Sequence, residues 1–188
     1  MILTLPAPAK LNLFLHVTGR REDGYHELQT VFQFIELHDV ITLSKRSDQQ
    51  IKRIGDWSEV AEENDLMVKS ARALACYAGV ACGVDITIEK NIPMGSGLGG
   101  GSSDAATVLC GLNVLWGLKL TNTELANIGV ELGADVPIFI HGHAAWAEGT
   151  GDILISIDPP EDYYLLVVPP VHVSTAEIFS HPALTRDS

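Results

Sequence analysis

Alternating apolar and polar residues shape the first part of the chain. Leucine or valine occupies every second position from 11 to 17, which predicts a strand with one strongly apolar face. The alternation returns at 29–37 and again at 39–44, so we expect these two segments to form a hairpin across a short turn. A further alternating segment at 84–89 predicts another strand, whereas the polar residues 49–63 predict a surface excursion.

In the middle of the chain the apolar residues are spaced as on one face of a helix. An apolar stripe at 66–77 follows the cap-like pair Asn64-Asp65 and predicts a first helix. Within 105–116 the apolar residues step by four, three and four positions, which predicts a second helix with a buried face. Thr121 and Glu124 have the capping-box spacing that begins a third helix.

Short strands are predicted in the last third of the chain. They lie at 137–147, 153–157 and 163–168, after a break between Gly133 and Pro137. Strands first, followed by mixed helices and strands, indicate an α+β fold rather than a regular series of βαβ units.

Composition narrows the classes of protein that this chain resembles. Its 188 residues, 46% of them hydrophobic, can bury a core without help from disulfides or metals. Twelve basic and twenty-four acidic residues give a net charge of −12, which argues against binding to nucleic acid or to anionic membranes. The longest apolar stretch has about nine residues, far fewer than the ~20 that span a bilayer. Three cysteines without a CxxC pair, and no basic leader, predict a soluble cytoplasmic protein.

The most distinctive segment is a glycine-rich loop between the strand at 84–89 and the helix at 105–116. It delivers Ser102 and Ser103 to the start of the helix, where exposed amides and the positive end of the helix dipole favour phosphate. A flexible surface loop is the plainer alternative. Glycine leaves the backbone free to approach a ligand closely. The glycines of the loop are Gly95, Gly97, Gly99, Gly100 and Gly101.

Two common phosphate-binding motifs fit this loop poorly. Gly95, Gly97 and Gly100 satisfy the dinucleotide fingerprint, but the acidic residue expected about 20 positions later is Glu124, which lies in a helix-start signature. A Walker P-loop requires a lysine where the chain has Gly101. A dinucleotide-dependent oxidoreductase therefore stays the less favoured alternative, and a third class of phosphate site is needed.

The segment from Pro93 to Ala106 resembles the nucleotide loop of the GHMP kinases. Three further motifs make the resemblance more specific: Pro8-Ala-Lys10-Leu-Asn12-Leu, Asp23-Gly-Tyr25-His26-Glu-Leu and Leu132-Gly-Ala-Asp135-Val-Pro137. Together they are similar to the members of that family in non-mevalonate isoprenoid (terpenoid) biosynthesis. The match runs from Lys10 to about Leu184.

The resemblance implies a fold and an activity. The fold would be α+β, like the second domain of ribosomal protein S5, with a mixed sheet packed against helices. Residues 1–160 would form the N-terminal nucleotide-binding domain, and 161–188 the start of a connection to a C-terminal domain that the chain lacks. The activity would be ATP-dependent phosphorylation, with Mg²⁺, of the 2-hydroxyl of a cytidyl-diphosphate sugar alcohol. A catalytically incompetent nucleotide-binding fragment is the first alternative.

The resemblance also implies roles for individual residues. Asp135 would be the general base with Lys10 beside it; from the residues alone, Asp135 is a helix cap and Lys10 a solvated charge. Tyr25 and Phe179 would stack on the cytosine and His26 would hydrogen-bond to it, with Asn12 and Thr175 as further substrate contacts. The nucleotide-binding set consists of Pro93, Gly95, Ser96, Gly97, Leu98, Gly99, Gly100, Gly101, Ser102 and Ser103, with Asn64, Leu66 and Lys90 around the adenine.

Two metal questions stay open in the sequence. Ser102, Ser103 and Asp104 are all candidates to contact the Mg²⁺ that accompanies ATP. His141 and His143 alternate, so both could face one side of a strand as a metal pair, but no third ligand stands at a clear spacing. The sequence carries no signal for an oligomeric state.

Overall fold

Two long antiparallel strands organise the fold. This computed structural model describes residues 1–22, 24, 26–55, 60–169 and 175–188. Ile2–Arg20 (β1) pairs along almost its whole length with one edge of His26–Arg46 (β2). Among the described residues β1 has β2 as its only partner, and this edge position accommodates Pro6 and Pro8 because the ladder there needs no amide donor.

The other edge of β2 divides between two neighbours. The remaining strands are Ile51–Arg53 (β3), Gly83–Glu89 (β4), Ala145–Glu148 (β5) and Ile153–Ser156 (β6). The first part of β2 pairs with β5 and its last part with β4, both antiparallel, while β3 lies parallel to β4. The described strands therefore form one mixed sheet in the order β3-β4-β2-β5-β6, with β1 also on β2. This confirms the expected α+β class.

The helices begin and end at the residues that local chemistry favours. The carboxylate of Asp65 accepts a hydrogen bond from the Met67 amide at the start of the first helix, and Thr121 with Glu124 forms the expected capping box. No helix in the described residues is long and apolar enough to cross a membrane. The helices are Leu66–Ala78 (α1), Gly100–Leu115 (α2), Asn122–Val130 (α3), Val136–His141 (α4) and Thr175–Ser180 (α5).

Helix α2 is the centre of the core. Its predicted apolar face at 105–116 is buried against the sheet, where it meets Ile41 and Leu43 of β2. Gly111 permits this close approach, because a Cβ there would lie 2.5 Å from Leu43 Cδ1. Each large apolar side chain buried in this way contributes about 1.5–3 kcal/mol. The position of α2 in turn places the glycine loop at the edge of the core.

Four predictions of secondary structure differ from the observed elements. The expected hairpin within 29–44 is one continuous strand, in which a bulge shifts the pairing from Pro8–His38 to Ala9–Ile35 instead of a turn. The apolar residues 136–140 form most of helix α4 rather than a strand, because Pro137 suits a first helical turn and a short, largely buried apolar run carries no decisive period. Residues 163–168 form neither strand nor helix, and the polar segment 49–63 contains β3.

Candidate active site

The glycine loop connects β4 to α2 and is tied to β1. The Lys10 amide donates to the Leu98 carbonyl at 2.9 Å. Gly95, Gly97 and Gly99 have φ values of 67°, 77° and 74°, a region that disfavours other residues. Gly99 is the N-cap of α2, so the first amides of this 16-residue helix follow the loop directly. The local structure is therefore that of an anion site at a helix N-terminus.

A cleft of about 720 Å³ lies between the loop, β1, the start of α1 and the start of α4. Most of the sequence-predicted site residues line it. Leu98 is instead buried against Ala9 and Ile92, and Ser103 is fully buried. The predicted residues that line the cleft are Lys10, Asn12, Asn64, Leu66, Lys90, Pro93, Gly95, Ser96, Gly97, Gly99, Gly100, Gly101, Ser102, Asp135 and Phe179.

Lys10 and Asp135 meet in this cleft. The Lys10 ammonium lies 3.3 Å from Asp135 Oδ2 and donates to Asn12 Oδ1 at 2.7 Å. It is 5% exposed, so the interpretation of Lys10 as a solvated charge is wrong. Asp135 stands at the N-cap position of α4 but makes no capping hydrogen bond, and its side chain keeps 38% exposure. Its carboxylate is therefore paired with a buried cation and open to the cleft.

Asn12 extends this network into the sheet. Its side-chain amide donates to Thr30 Oγ1 at 2.8 Å, and the Lys10 ammonium lies 5.4 Å from the centre of the Phe32 ring. Both Thr30 and Phe32 lie on β2 and line the cleft. Contacts on both sides hold the buried ammonium in one orientation, which suits a group that must keep its position while a ligand enters.

A buried ionic cluster, Asp39–Lys90–Asp104, lies behind the loop. The Lys90 ammonium contacts Asp39 Oδ2 and, at 3.0 Å, Asp104 Oδ2. Asp39 and Asp104 are 0% and 2% exposed. Asp39 Oδ1 also accepts hydrogen bonds from the amides of Asn91 and Ile92, at 2.5 and 2.8 Å. The cluster thus joins β2, the entrance of the loop and the first turns of α2.

The single cation of this cluster, Lys90, forms ion pairs with both carboxylates. Burial raises the pKa of Asp104 to about 7; the Lys90 charge opposes this rise and the Asp39 charge adds to it. Burial alone would lower the pKa of Lys90, but Asp104 and Asp39 raise it on balance. The ammonium of Lys90 is therefore paired with two buried carboxylates, although other atoms of the residue line the cleft. The sequence analysis assigned no role to Asp39. Its only signal in the sequence is an acidic residue within a segment of alternating apolar residues.

The substrate-side residues are brought together in part. The rings of His26 and Phe179 lie 5.2 Å apart, and Phe179 lines the cleft. Tyr25 lies outside the described residues. Thr175 begins α5, but its side chain also lies outside the described part of the chain.

The histidine pair does not have the geometry expected for a strand. His141 ends α4 and His143 follows it, with ring centres 6.0 Å apart, and His141 Nε2 lies 2.9 Å from Ser156 Oγ. No group of three metal-ligating side chains occurs in the described residues. The pair therefore has no third ligand there.

The dinucleotide alternative loses its support in the structure. A Glu124 oxygen accepts from the Thr121 amide at 2.8 Å, so this carboxylate serves the cap of α3 and not a ribose. In the described residues the only parallel strand pair is β3–β4, and α2 leads to α3 and not to a neighbouring parallel strand. A Rossmann unit requires that parallel crossover.

Alanine variants of Gly99 and Gly97 separate the cost of a clash with Phe139 from the cost of backbone strain. A Cβ at Gly99 would lie 2.8 and 2.9 Å from two ring atoms of Phe139 and 3.2 Å from Lys10 Cε, whereas one at Gly97 would meet nothing within 4 Å. Both alanine variants should lose about 1 kcal/mol to strain. Gly99→Ala should lose about 1–3 kcal/mol more because Phe139 must move.

Urea unfolding of the two variants beside the wild type measures this difference. Gly97→Ala is the matched control because its φ is nearly the same. Equal losses of unfolding free energy in the two variants would show that the Gly99–Phe139 contact has no energetic role.

Comparison with known proteins agrees with this geometry. Residues 65–143 match the family described as GHMP kinases N terminal domain. The chain is 58% identical over 186 residues to the 4-diphosphocytidyl-2-C-methyl-D-erythritol kinase of Pseudomonas syringae pv. tomato, a match that covers 99% of this chain and 66% of the relative. It is 56% identical over 186 residues to the kinase of the same name from Methylococcus capsulatus, of which it covers 64%.

Solved structures show the same fold. The chain matches a crystal structure of 4-(cytidine 5'-diphospho)-2C-methyl-D-erythritol kinase with 40% identity and a TM-score of 0.73, covering 84% of this chain and 56% of that one. A homoserine kinase from Cytophaga hutchinsonii, 18% identical, matches with a TM-score of 0.64 over 85% of this chain and 52% of its own, which shows the fold alone. The chain spans slightly less than two thirds of the curated relatives' length. It belongs to the GHMP kinases and has the fold of their N-terminal domain.

Proposed function

We propose that this chain is the nucleotide-binding part of a kinase that phosphorylates the 2-hydroxyl of 4-diphosphocytidyl-2-C-methyl-D-erythritol with ATP. The observation that carries the proposal is the pairing of Lys10 and Asp135 in the same cleft as the glycine loop. In this proposal residues 1–160 are the N-terminal domain, and 161–188 lead towards a C-terminal domain. The match to a curated relative of this name, 58% identical over 99% of the chain, supports the proposal.

Local positive features compensate for the acidity of the chain. ATP is an anion, and the protein carries a net charge of −12. The amides of the loop and of the first turn of α2 supply donors without a side-chain charge. In the proposal the phosphates lie along Gly95–Ser102, and Asn64, Leu66 and Lys90 surround the adenine. Leu98 and Ser103, which are buried, shape the loop and do not line the cleft.

Phosphoryl transfer needs position, a charge near the transferred group and an acceptor for the hydroxyl proton. In the proposed step the proton of the substrate hydroxyl passes to the Asp135 carboxylate. The hydroxyl oxygen forms a bond to the γ-phosphorus, and the bond from that phosphorus to the β,γ-bridging oxygen breaks to leave ADP. Lys10 orients the carboxylate through their 3.3 Å contact and presents its positive charge to the same region.

Mg²⁺ fits this site as an ion held mainly by its ligand. The described residues contain no group of three metal-ligating side chains, and Asp104 is already bound to Lys90. When bound with ATP, Mg²⁺ neutralises phosphate charge, and it is held largely by phosphate oxygens and water. Ser102 lines the cleft beside the loop, so its hydroxyl would be available to such an ion.

The cytidyl end of the substrate belongs at the Phe179 side of the cleft. Stacking on an aromatic ring contributes about 1–3 kcal/mol per base. We propose Phe179 and Tyr25 as the stacking rings, His26 as the hydrogen-bonding residue, and Asn12 and Thr175 as further contacts. The three cysteines are free thiols, which suits the reducing cytoplasm that we propose for the reaction.

Two measurements test the proposal. We expect the 188-residue chain to bind a non-hydrolysable ATP analogue and cytidine 5'-diphosphate in calorimetric titrations, and not NAD. A coupled ATP-consumption assay on this chain and on a form extended to the length of the relatives would then compare turnover with the cytidyl substrate. Binding without turnover in the extended form would reject the kinase. Turnover in the extended form alone would identify the 188-residue chain as a binding fragment.

A further inference from the structure

Arg186 ties the end of the chain to the substrate side of the cleft. Its Nη2 donates to the carbonyls of Phe179 and His181, at 3.3 and 3.0 Å, and its Nη1 donates to the Leu184 carbonyl at 3.1 Å. Its Nε donates to His26 Nε2 at 3.1 Å. One guanidinium therefore contacts both the His26 ring and the backbone of Phe179. The rings of these two residues also lie side by side, 5.2 Å apart and tilted by 35°.

The chemistry of these two side chains settles the direction of the hydrogen bond. A guanidinium has donors only and stays protonated in proteins. The Nε2 atom of His26 must therefore accept, and it can do so only without a proton. The single proton of a neutral imidazole then sits on Nδ1. In solution the opposite tautomer is the more common one, so this contact changes which ring atom can donate.

The charges around His26 favour the same state. Burial, Arg186 and Arg20 lower the pKa of His26, in that order. Arg20 lies opposite His26 in the β1–β2 ladder. Glu27, the neighbouring carboxylate on β2, is 3.8 Å from Arg21. A second proton would place two N–H groups face to face and add a positive charge beside two arginines.

We propose that Arg186 is a positioning residue that holds neutral His26 in the Nδ1–H tautomer and, through the Phe179 carbonyl, fixes both groups relative to each other. His26 then offers a hydrogen-bond donor at Nδ1. The N3 atom of cytosine accepts a hydrogen bond whereas N3 of uracil carries a proton, so a donor that faces N3 discriminates between the two bases, whose O2 atoms are both acceptors. The consequence for the base, which rests on the proposed function, is selection of a cytidine over a uridine nucleotide.

Nitrogen NMR of the 188-residue chain tests the tautomer directly. Long-range ¹H–¹⁵N spectra distinguish the two tautomers, and the His26→Asn spectrum assigns His26 among the seven histidines. We expect Nδ1–H in the wild type and a shift towards Nε2–H in Arg186→Met. Arg186→Lys, which keeps a donor, should restore Nδ1–H in part. An Nε2–H signal in the wild type would overturn the proposal whether or not the variants fold.

Arg20→Met is the matched control because it removes a positive charge near the His26 ring but leaves the Arg186–His26 hydrogen bond in place. The pKa of His26 should rise in both arginine variants, while the tautomer should change only in Arg186→Met. A purely structural role of Arg186 would leave the tautomer unchanged, and so would contradict the proposal.

Nucleotide titrations separate this proposal from the proposed function. We expect the preference for cytidine 5'-diphosphate over uridine 5'-diphosphate to fall by about tenfold in Arg186→Met, as for the loss of one hydrogen bond, and to persist in Arg20→Met. Equal weakening of both nucleotides would overturn the selective role. If neither nucleotide binds the wild type, the proposed function fails, while the NMR spectra still decide the tautomer.

Discussion

Replacing Asp135 by asparagine is expected to lower the turnover of the extended kinase by about 10²–10⁴-fold, the usual contribution of a positioned acid–base group. Asparagine keeps the size of the side chain and can still contact Lys10, but it cannot take the proton of the substrate hydroxyl. The partly exposed carboxylate beside a buried ammonium is the feature that motivates this expectation. Steady-state rates with saturating ATP and cytidyl substrate measure the effect.

The matched control is Asp158→Asn, an exposed aspartate outside the cleft. It should leave turnover unchanged. Binding of the ATP analogue should also survive in Asp135→Asn, because the loop amides do not involve this carboxylate. A loss smaller than tenfold in Asp135→Asn would reject its role as the base.

Replacing Lys90 by methionine is expected to lower the free energy of unfolding by about 3–5 kcal/mol near pH 8, the typical cost of removing one partner from a buried ion pair. Asp39 and Asp104 would stay buried without their cation. The entrance of the loop and the start of α2 would also lose the contact that joins them. Urea unfolding at fixed pH measures this loss.

The loss should depend on pH in a defined direction. The pKa of Asp104 is already raised to about 7 in the folded wild type, against about 3.9 in an unfolded chain. A carboxyl group with a raised pKa in the folded state stabilises the fold at low pH, and this contribution is lost as the pH rises through the raised pKa. Removing the Lys90 charge raises that pKa further. The loss in Lys90→Met should therefore be smaller at pH 5 than at pH 8, by about 1–3 kcal/mol.

Two further variants make this result specific. Lys69→Met removes an exposed lysine of α1 and should change the unfolding free energy by less than about 0.5 kcal/mol at either pH. Adding Asp104→Asn to Lys90→Met should recover part of the lost unfolding free energy at pH 8, because it removes one of the two buried carboxylates that no longer have a cation. A loss that is the same at both pH values would show that charge burial is not its cause.

The network around the loop fixes the backbone donors that the proposed function assigns to phosphate. The loop is tied to β1 through Leu98 and to β2 through the amides of Asn91 and Ile92, which Asp39 holds. Backbone donors fixed in this way need not reorganise when phosphate arrives. The ionic cluster Asp39–Lys90–Asp104 therefore holds the entrance of the loop and the start of α2 from the side of the core.

Local sequence patterns predicted the structure correctly where a residue type strongly prefers one position in a helix. The capping box of Thr121 and Glu124, the cap at Asp65 and the buried face of α2 follow from short-range spacing, and the structure confirms all three. The apolar run at 136–140 shows the limit of local patterns. A short, continuous apolar run has no polar face, so nothing in its own pattern separates helix from strand.

The amino-acid sequence by itself determined the α+β class, the starts of α1 and α3 and the position of the glycine loop, because these depend on neighbouring residues and on motifs of fixed spacing. Only the tertiary structure decided that Lys10 and Asp135, 125 positions apart, lie 3.3 Å from each other, that Lys90 serves Asp39 and Asp104, and that Arg186 reaches His26. Each of these contacts joins distant strands and loops. Their pairing depends on strand register and on the packing of α2 against the sheet, which no local spacing encodes.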